Sequence, residues 1–316
     1  MKPIIPIVSA FMCALAGSAF AGQVSFYQLP SGAFPHDVAP APDGTVWYSD
    51  QAEGFLGLLD PKTGKTQNVR LGPGAAPHGV IIGPDGAPWV TEGGQNAIAR
   101  VDPMTHAVKL FPLPRQFADA NLNTPTFDKK GVLWFTGQSG VHGRLDPAVG
   151  KVEAWHSPRP GSYGMTTTPG GDVWFASLAG NFIGKVDSAT GAVAMVEPPR
   201  PSSGPRRIWS DSHGMLWVSF WNSGGVGRYD PVAKSWKVYT MPKSRSGTYA
   251  VYVDDKDRVW ATDWLANAIQ RFDQETESFV TFPSDKRGAE IRQLNGRPGE
   301  TWGGESGNNR LVVIRD

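Results

Sequence analysis

Pro35-His36-Asp37-Val38, Pro42-Asp43-Gly44, Val46-Trp47-Tyr48-Ser49, Phe55 to Leu59, Asp60-Pro61-Lys62-Thr63-Gly64 and Thr66 to Leu71, closed by Gly72-Pro73, form the stretch from which the fold can be read. It contains four short segments rich in β-branched and aromatic residues, each bounded by Gly, Pro or Asp turn chemistry. The same text returns along the chain. A tryptophan recurs at Trp47, Trp89, Trp134, Trp174, Trp217, Trp260 and Trp302. An aspartate recurs in phase at Asp60, Asp102, Asp146, Asp187, Asp230, Asp273 and Asp316. Two markers in register, 40 to 45 residues apart, have the spacing of four-stranded propeller blades. The fold class is therefore all-β, a seven-bladed β-propeller with four-stranded blades.

The chain ends test that reading. The last unit stops at Asp316, directly after a third strand at Arg310 to Ile314. The segment Val24-Ser25-Phe26-Tyr27-Gln28-Leu29-Pro30 has a fourth-strand pattern and no unit of its own. The N-terminal strand is thus expected to complete blade seven, tying both ends of the chain into one sheet and removing its open edges.

Lys2, the apolar run Ile4 to Gly17 and Ala19-Phe20-Ala21 read as a secretory signal peptide over residues 1–21, leaving one propeller domain at 22–316. A periplasmic or secreted protein is expected, without membrane insertion. The only cysteine, Cys13, lies in that leader, which excludes disulfides, thiolate metal sites and a cysteine nucleophile from the remainder. Without Lys2, 29 basic residues face 29 acidic ones, a balance that argues against nucleic acid as a partner. A monomer with a small-molecule ligand at the channel mouth is the expectation.

Blade geometry predicts which side chains meet at that mouth. Eleven positions before each tryptophan stand His36, His78, Asn123, Tyr163, Arg206, Tyr249 and, shifted by one in the last blade, Arg292. Three positions after it stand Asp50, Glu92, Gly137, Ser177, Phe220, Asp263 and Glu305. Either these form a polar ligand pocket or they form a solvated funnel of mutually paired charges. Within the set, His78 with Glu92 is an acid–base or metal pair, or else a repeat feature holding a turn. His36 with Asp50 is a weaker pair of the same kind. Arg206 and Arg292, with Arg207 adjacent, suit a carboxylate or phosphate clamp, or ion pairs with Glu290, Asp263 or Glu305. Trp221 and Trp264 could stack on a ligand or pack between blades. The remaining histidines, His106, His142, His156 and His213, read as surface residues.

Pro77-His78-Gly79-Val80, Gly83-Pro84-Asp85-Gly86, Trp89-Val90-Thr91-Glu92 and Asn96-Ala97-Ile98-Ala99-Arg100-Val101-Asp102-Pro103 together resemble the streptogramin B (virginiamycin B) lyase family. Trp260-Ala261-Thr262-Asp263-Trp264 and the Leu-Pro ends at Leu29-Pro30 and Leu113-Pro114 carry the same resemblance. It implies elimination across the ester bond of a cyclic depsipeptide, with Mg²⁺ (Ca²⁺ as second choice) held by carboxylates. Carried over residue by residue, it places the metal on Glu290 and Glu305, although the family's second Glu lies one position later. The family's base position falls on Arg292, and a substrate-contacting histidine of the penultimate blade falls on Tyr249. Arginine stays protonated and cannot take a proton at neutral pH. The expected function is a lyase-like enzyme on a polar or anionic small molecule, not an efficient streptogramin lyase. The alternatives are a non-catalytic binding or scaffolding propeller and a lactonase-like esterase built on Glu290, Asn123 and Asp263.

Overall fold

The computed structural model describes residues 22–242 and 247–316. The expected signal segment, residues 1–21, lies outside the described residues. These residues form seven antiparallel four-stranded sheets. Blade one is Pro35–Pro40, Val46–Asp50, Phe55–Asp60 and Lys65–Arg70, in that spatial order. The innermost strand of each blade packs on that of the next, and the first blade packs on the seventh, so the ring closes.

Closure runs through the chain ends as the strand count required. The strand Gln23–Gln28 pairs antiparallel with Arg310–Arg315, from Gln23 opposite Arg315 to Gln28 opposite Arg310. Pairing in this way covers the outer edge of the last blade's third strand, which would otherwise expose unpaired backbone groups. No helix among the described residues is long and apolar enough to cross a membrane.

The repeat markers are structural. All seven periodic tryptophans are buried. In blades two, three, five, six and seven the indole N–H donates to an acidic side chain of its own blade, Asp85, Asp128, Asp211, Asp254 or Glu300. The aspartates at the third turn fold it by accepting backbone N–H bonds, as Asp102 does from Met104 and Thr105.

One repeated irregularity positions the site. In every blade the pairing of the first two strands shifts register two residues into the first strand, for example between Pro35 and Val38 and between Pro205 and Ile208. Such a β-bulge places two residues against one and disturbs strict alternation. In blades one, two, three, five and six a hydroxyl on the second strand accepts a backbone N–H of the bulge, and in the first three and the fifth it also bridges to the next blade. Ser49 Oγ accepts the Asp37 N–H at 3.0 Å and donates to His78 O at 2.6 Å. Ser219 Oγ accepts the Arg207 N–H at 3.0 Å and donates to Tyr249 O at 2.7 Å. Thr91 and Thr136 make the same two contacts in blades two and three, and Thr262 accepts the Ala250 N–H.

Candidate functional site

The bulge delivers two layers of side chains to the axis. The upper layer is the ring predicted from spacing. His36 and His78 lie with ring centroids 4.0 Å apart. Asn123 Nδ2 donates to His78 Nε2 at 3.1 Å. The Tyr163 and Tyr249 hydroxyls are 2.5 Å apart, and the Tyr249 hydroxyl lies 3.4 Å from His36 Nε2. Arg206 donates from Nη2 to the Tyr163 hydroxyl at 3.0 Å, and its guanidinium carbon sits 3.5 Å from the Tyr249 ring centroid. His36, His78, Tyr163 and Tyr249 are all buried, so the mouth of the channel is closed by a plug rather than left as a funnel.

The lower layer was not expected. Arg207 reaches across the axis to Asp37, Nη2 to Oδ1 at 2.7 Å and Nη1 to Oδ2 at 3.3 Å, and also donates to Thr124 Oγ1 at 2.8 Å. Both partners are buried. Asp37 Oδ1 also meets His36 Nδ1 at 2.8 Å. In a regular strand Asp37 would point away from His36, because successive side chains face opposite sides; the bulge puts both over the axis. Below this pair a chamber of about 170 Å³, lined by Asp37, Thr124, Arg207, Trp209, Gln293 and Asn295 among others, continues toward the opposite face.

Burial, the largest influence, holds both imidazoles well below their ordinary value. Arg207, Arg292 and Arg206 add to it at His36, and His36 and the arginines Arg207 and Arg206 add to it at His78 while Asp37 opposes. His36, Asp37 and His78 bring three ligand-type atoms within 4.8 Å of one another. They do not suit a divalent cation, because Arg207 occupies both carboxylate oxygens and the surrounding guanidiniums already make the field positive.

Beside the plug, a cleft of about 570 Å³ opens between blades five, six and seven, lined by Trp221, Asn222, Trp264, Leu265, Arg287 and Glu290 among others. Trp264 stacks on Tyr249 at 5.1 Å and donates its indole N–H to Ile291 O at 2.8 Å. Arg206 lies 4.6 Å from the Trp221 ring centroid, and Arg292 lies 5.1 Å from that of Trp264. The cleft thus has aromatic walls with a guanidinium against each.

The residues three positions after each tryptophan behave differently from the ring. Each stands opposite the residue preceding the bulge, as Glu92 stands opposite Pro77 and Asp263 opposite Thr248. The side chains of Asp50, Glu92 and Asp263 hold turns. Glu92 Oε1 accepts the N–H groups of Ala76 and Gly94, and Asp263 Oδ1 accepts that of Ala266. Asp50 Oδ1 accepts that of Glu53. The pairing of His78 with Glu92 is therefore not the one the fold makes: His78 is shared between Asn123 and His36, and Glu92 belongs to the turn. Glu290 and Glu305, expected to share a metal, each have a different cationic partner. Arg292 Nη2 meets Glu290 Oε2 at 3.2 Å and its Nε donates to Ser306 Oγ at 2.9 Å. Glu290 precedes the strand Ile291–Arg297, in left-handed backbone at φ 50°. Glu305 is fully buried against Arg310 within the same hairpin and also accepts from Asn308. His142, expected at the surface, is buried between blades three and four, meeting Ser157 Oγ at 2.9 Å and Gly191 O at 2.8 Å.

A closed ring of seven four-stranded blades, with polar side chains gathered at one end of the axis, defines a seven-bladed β-propeller. The chain belongs to the Virginiamycin B lyase family, whose sequence profile matches residues 14–145 and 126–302. No curated protein matches it. Among solved structures, selenomethionine-substituted virginiamycin B lyase from Staphylococcus aureus aligns with 22% identity and a TM-score of 0.85, over 93% of this chain and 99% of that one. A catalytically inactive variant of that lyase with quinupristin aligns with the same identity, coverage and score. The extracellular domain of a hybrid two component system from B. thetaiotaomicron aligns at 13% identity and a TM-score of 0.72, over 91% of this chain and 40% of that one. At these identities the structural likeness carries the fold alone.

Proposed function

We propose that this propeller is an exported protein that takes an anionic small molecule with an aromatic or apolar face into the mouth cleft. Arg206 carries the reading. Among the described residues it has no carboxylate partner, whereas Arg207 has Asp37 and Arg292 has Glu290. It stands between Tyr163, Tyr249 and Trp221, where a ligand carboxylate could complete its bonding while a ring or chain lies on Trp221, Trp264 and the exposed Leu265. Export is supported by the leader-like sequence of residues 1–21 and by the extracellular domains among its structural neighbours.

The family's metal-assisted elimination fits the last blade poorly. The two carboxylates expected to hold Mg²⁺, Glu290 and Glu305, each face a guanidinium, Arg292 and Arg310. A divalent cation between them would meet like charge, and Arg292 at the base position has no proton-accepting atom. Streptogramin ring opening is therefore expected to be undetectable; efficient Mg²⁺-dependent opening by the purified protein would overturn this reading. Calorimetric titration with phenylacetate and its neutral analogue phenylacetamide tests the ligand class. Binding of the acid alone, lost in Arg206→Gln, is expected, and equal binding of the two would contradict it.

A further inference from the structure

Among the described residues, the closed end of the channel holds the guanidiniums of Arg206 and Arg207 and the single carboxylate of Asp37. Asp37 answers Arg207, while Arg206 donates to a phenol instead of a carboxylate. The remaining neighbours add no negative charge. His36 and His78 are held neutral, and Asn123 and Thr124 are uncharged. Arg292, 5.9 Å from the Tyr249 ring centroid, is paired with Glu290. Arg206, half-buried at the edge of the cleft, thus has no negative charge beside it among the described residues.

The phenol oxygens supply a place for one. The 2.5 Å separation of the Tyr163 and Tyr249 hydroxyls lies at the short end of the hydroxyl–hydroxyl range, where charge-assisted O–H···O⁻ bonds also fall. Tyr249 has one hydrogen and two neighbours, Tyr163 at 2.5 Å and His36 Nε2 at 3.4 Å. With its hydrogen toward Tyr163, the Tyr163 oxygen receives two donors, Tyr249 O–H and Arg206 N–H, the arrangement that stabilises an anion. With Tyr163 protonated, the hydrogens point the other way, from Tyr163 to Tyr249 and from Tyr249 to His36, whose Nδ1–H is held by Asp37.

We propose that Tyr163 is the proton acceptor of the mouth, its phenolate serving as the counter-charge of Arg206 and the Tyr249 hydroxyl as its hydrogen-bond donor. Burial pushes the Tyr163 phenol up, but Arg206 and Arg207, with the bonds from Tyr249 and Arg206, outweigh it and hold the group below its ordinary value. Burial and the neighbouring Tyr163 push Tyr249 the opposite way, so the two phenols are set apart as acceptor and donor. Resting on the ligand reading above, the step is a proton transfer. A C–H or O–H proton of a ligand anchored at Arg206 passes to the Tyr163 oxygen, giving the phenol, and the electron pair stays on the ligand facing Arg206 and Arg292. This gives the chain an acid–base group in place of the one that Arg292 cannot supply.

Tyrosinate absorbance of the intact protein, titrated with pH, tests the assignment. Wild type is expected to show one tyrosine ionising below the ordinary value of about 10. The step should vanish in Tyr163→Phe and move up by about one unit, a tenfold change in proton affinity, in Arg206→Gln and in Tyr249→Phe. Should Tyr163→Phe fail to fold, as judged by circular dichroism, the other two variants carry the test. Saturating phenylacetate should also move the step up, because it takes over the neutralisation of Arg206. No low step in wild type, or one that persists in Tyr163→Phe, overturns the proposal. A low step with no phenylacetate binding would remove the ligand reading and leave the Tyr163 assignment standing. Arg206-dependent phenylacetate binding with no low step would do the reverse.

Discussion

Blade seven and blades one and two place charged groups around the same axis, yet they satisfy them in opposite ways. In blade seven three carboxylates are answered within the blade, Glu290 by Arg292, Glu305 by Arg310 and Glu300 by Arg297 and Arg315, and only the terminal Asp316 turns to a neighbour, pairing with Arg258 and Arg271 of blade six. In blades one and two the polar groups are answered across the ring, Asp37 by Arg207 of blade five, His36 by Tyr249 of blade six and His78 by Asn123 of blade three. Pairing inside a hairpin gives each of the three blade-seven carboxylates a cation from its own blade. Pairing across the axis turns the channel end into one coupled cluster whose protonation and occupancy depend on every member. The chemistry that the family resemblance assigns to blade seven is accordingly sought in the plug.

The largest effect is expected where blade seven is not self-sufficient. Deleting residues 23–28 removes the strand that covers Arg310–Arg315, and thermal unfolding should shift strongly downward for the whole ring. A truncated protein with an unchanged melting temperature would refute the closure. Next comes the cross-axis pair. Asp37→Asn keeps the shape but strands the buried Arg207, a change that typically costs about 3–5 kcal/mol, readable from urea denaturation. A loss within about 1 kcal/mol would show that the ring does not depend on that contact.

A smaller, graded effect follows from the plug histidines. His36 and His78 are neutral when folded, with values held down by burial, while their unfolded counterparts take up protons near about 6.5. The unfolded state then binds more protons below that pH, so stability is full above about 6.5 and declines as pH falls toward 5. Melting temperature measured across that range should drop, and His78→Gln should flatten the slope. The smallest effect belongs to the mouth pair of blade seven. Arg292→Ala breaks a contact in which the Glu290 side chain is 44% exposed, and it should change stability by only about 0–1 kcal/mol. A larger loss would mean that blade seven is coupled to the plug after all.

The parts of this structure that repeat were legible, and the parts that depend on neighbouring blades were not. The tryptophans and turn aspartates mark the period because every blade buries the same side chain at the same place, and the missing last strand could be counted. The upper ring from His36 to Arg292 follows from spacing alone. Asp37 was missed, and Arg207 was read only as a neighbour of Arg206, because alternation places both behind the strand and only the bulge returns them to the axis. A signal for the bulge was present: Ser49, Thr91, Thr136, Ser219 and Thr262 each stand two residues after a periodic tryptophan, a polar residue where the strand is buried. Glu92, Asp263 and Glu305 were grouped with the ring because their strand ends nearby; the pairing register turns them to the loops instead. Burial of His142 rests on the Gly191 carbonyl of the following blade, which no reading of its own strand contains.

A crystal structure of the protein grown with both Mg²⁺ and phenylacetate most directly tests whether the plug and its adjoining cleft, rather than the carboxylates of blade seven, make the site. The account predicts the carboxylate against Arg206, the ring on Trp221 or Trp264, and Glu290 still bonded to Arg292. Mg²⁺ held by Glu290 and Glu305, with Arg292 turned away and Arg206 unoccupied, would contradict it.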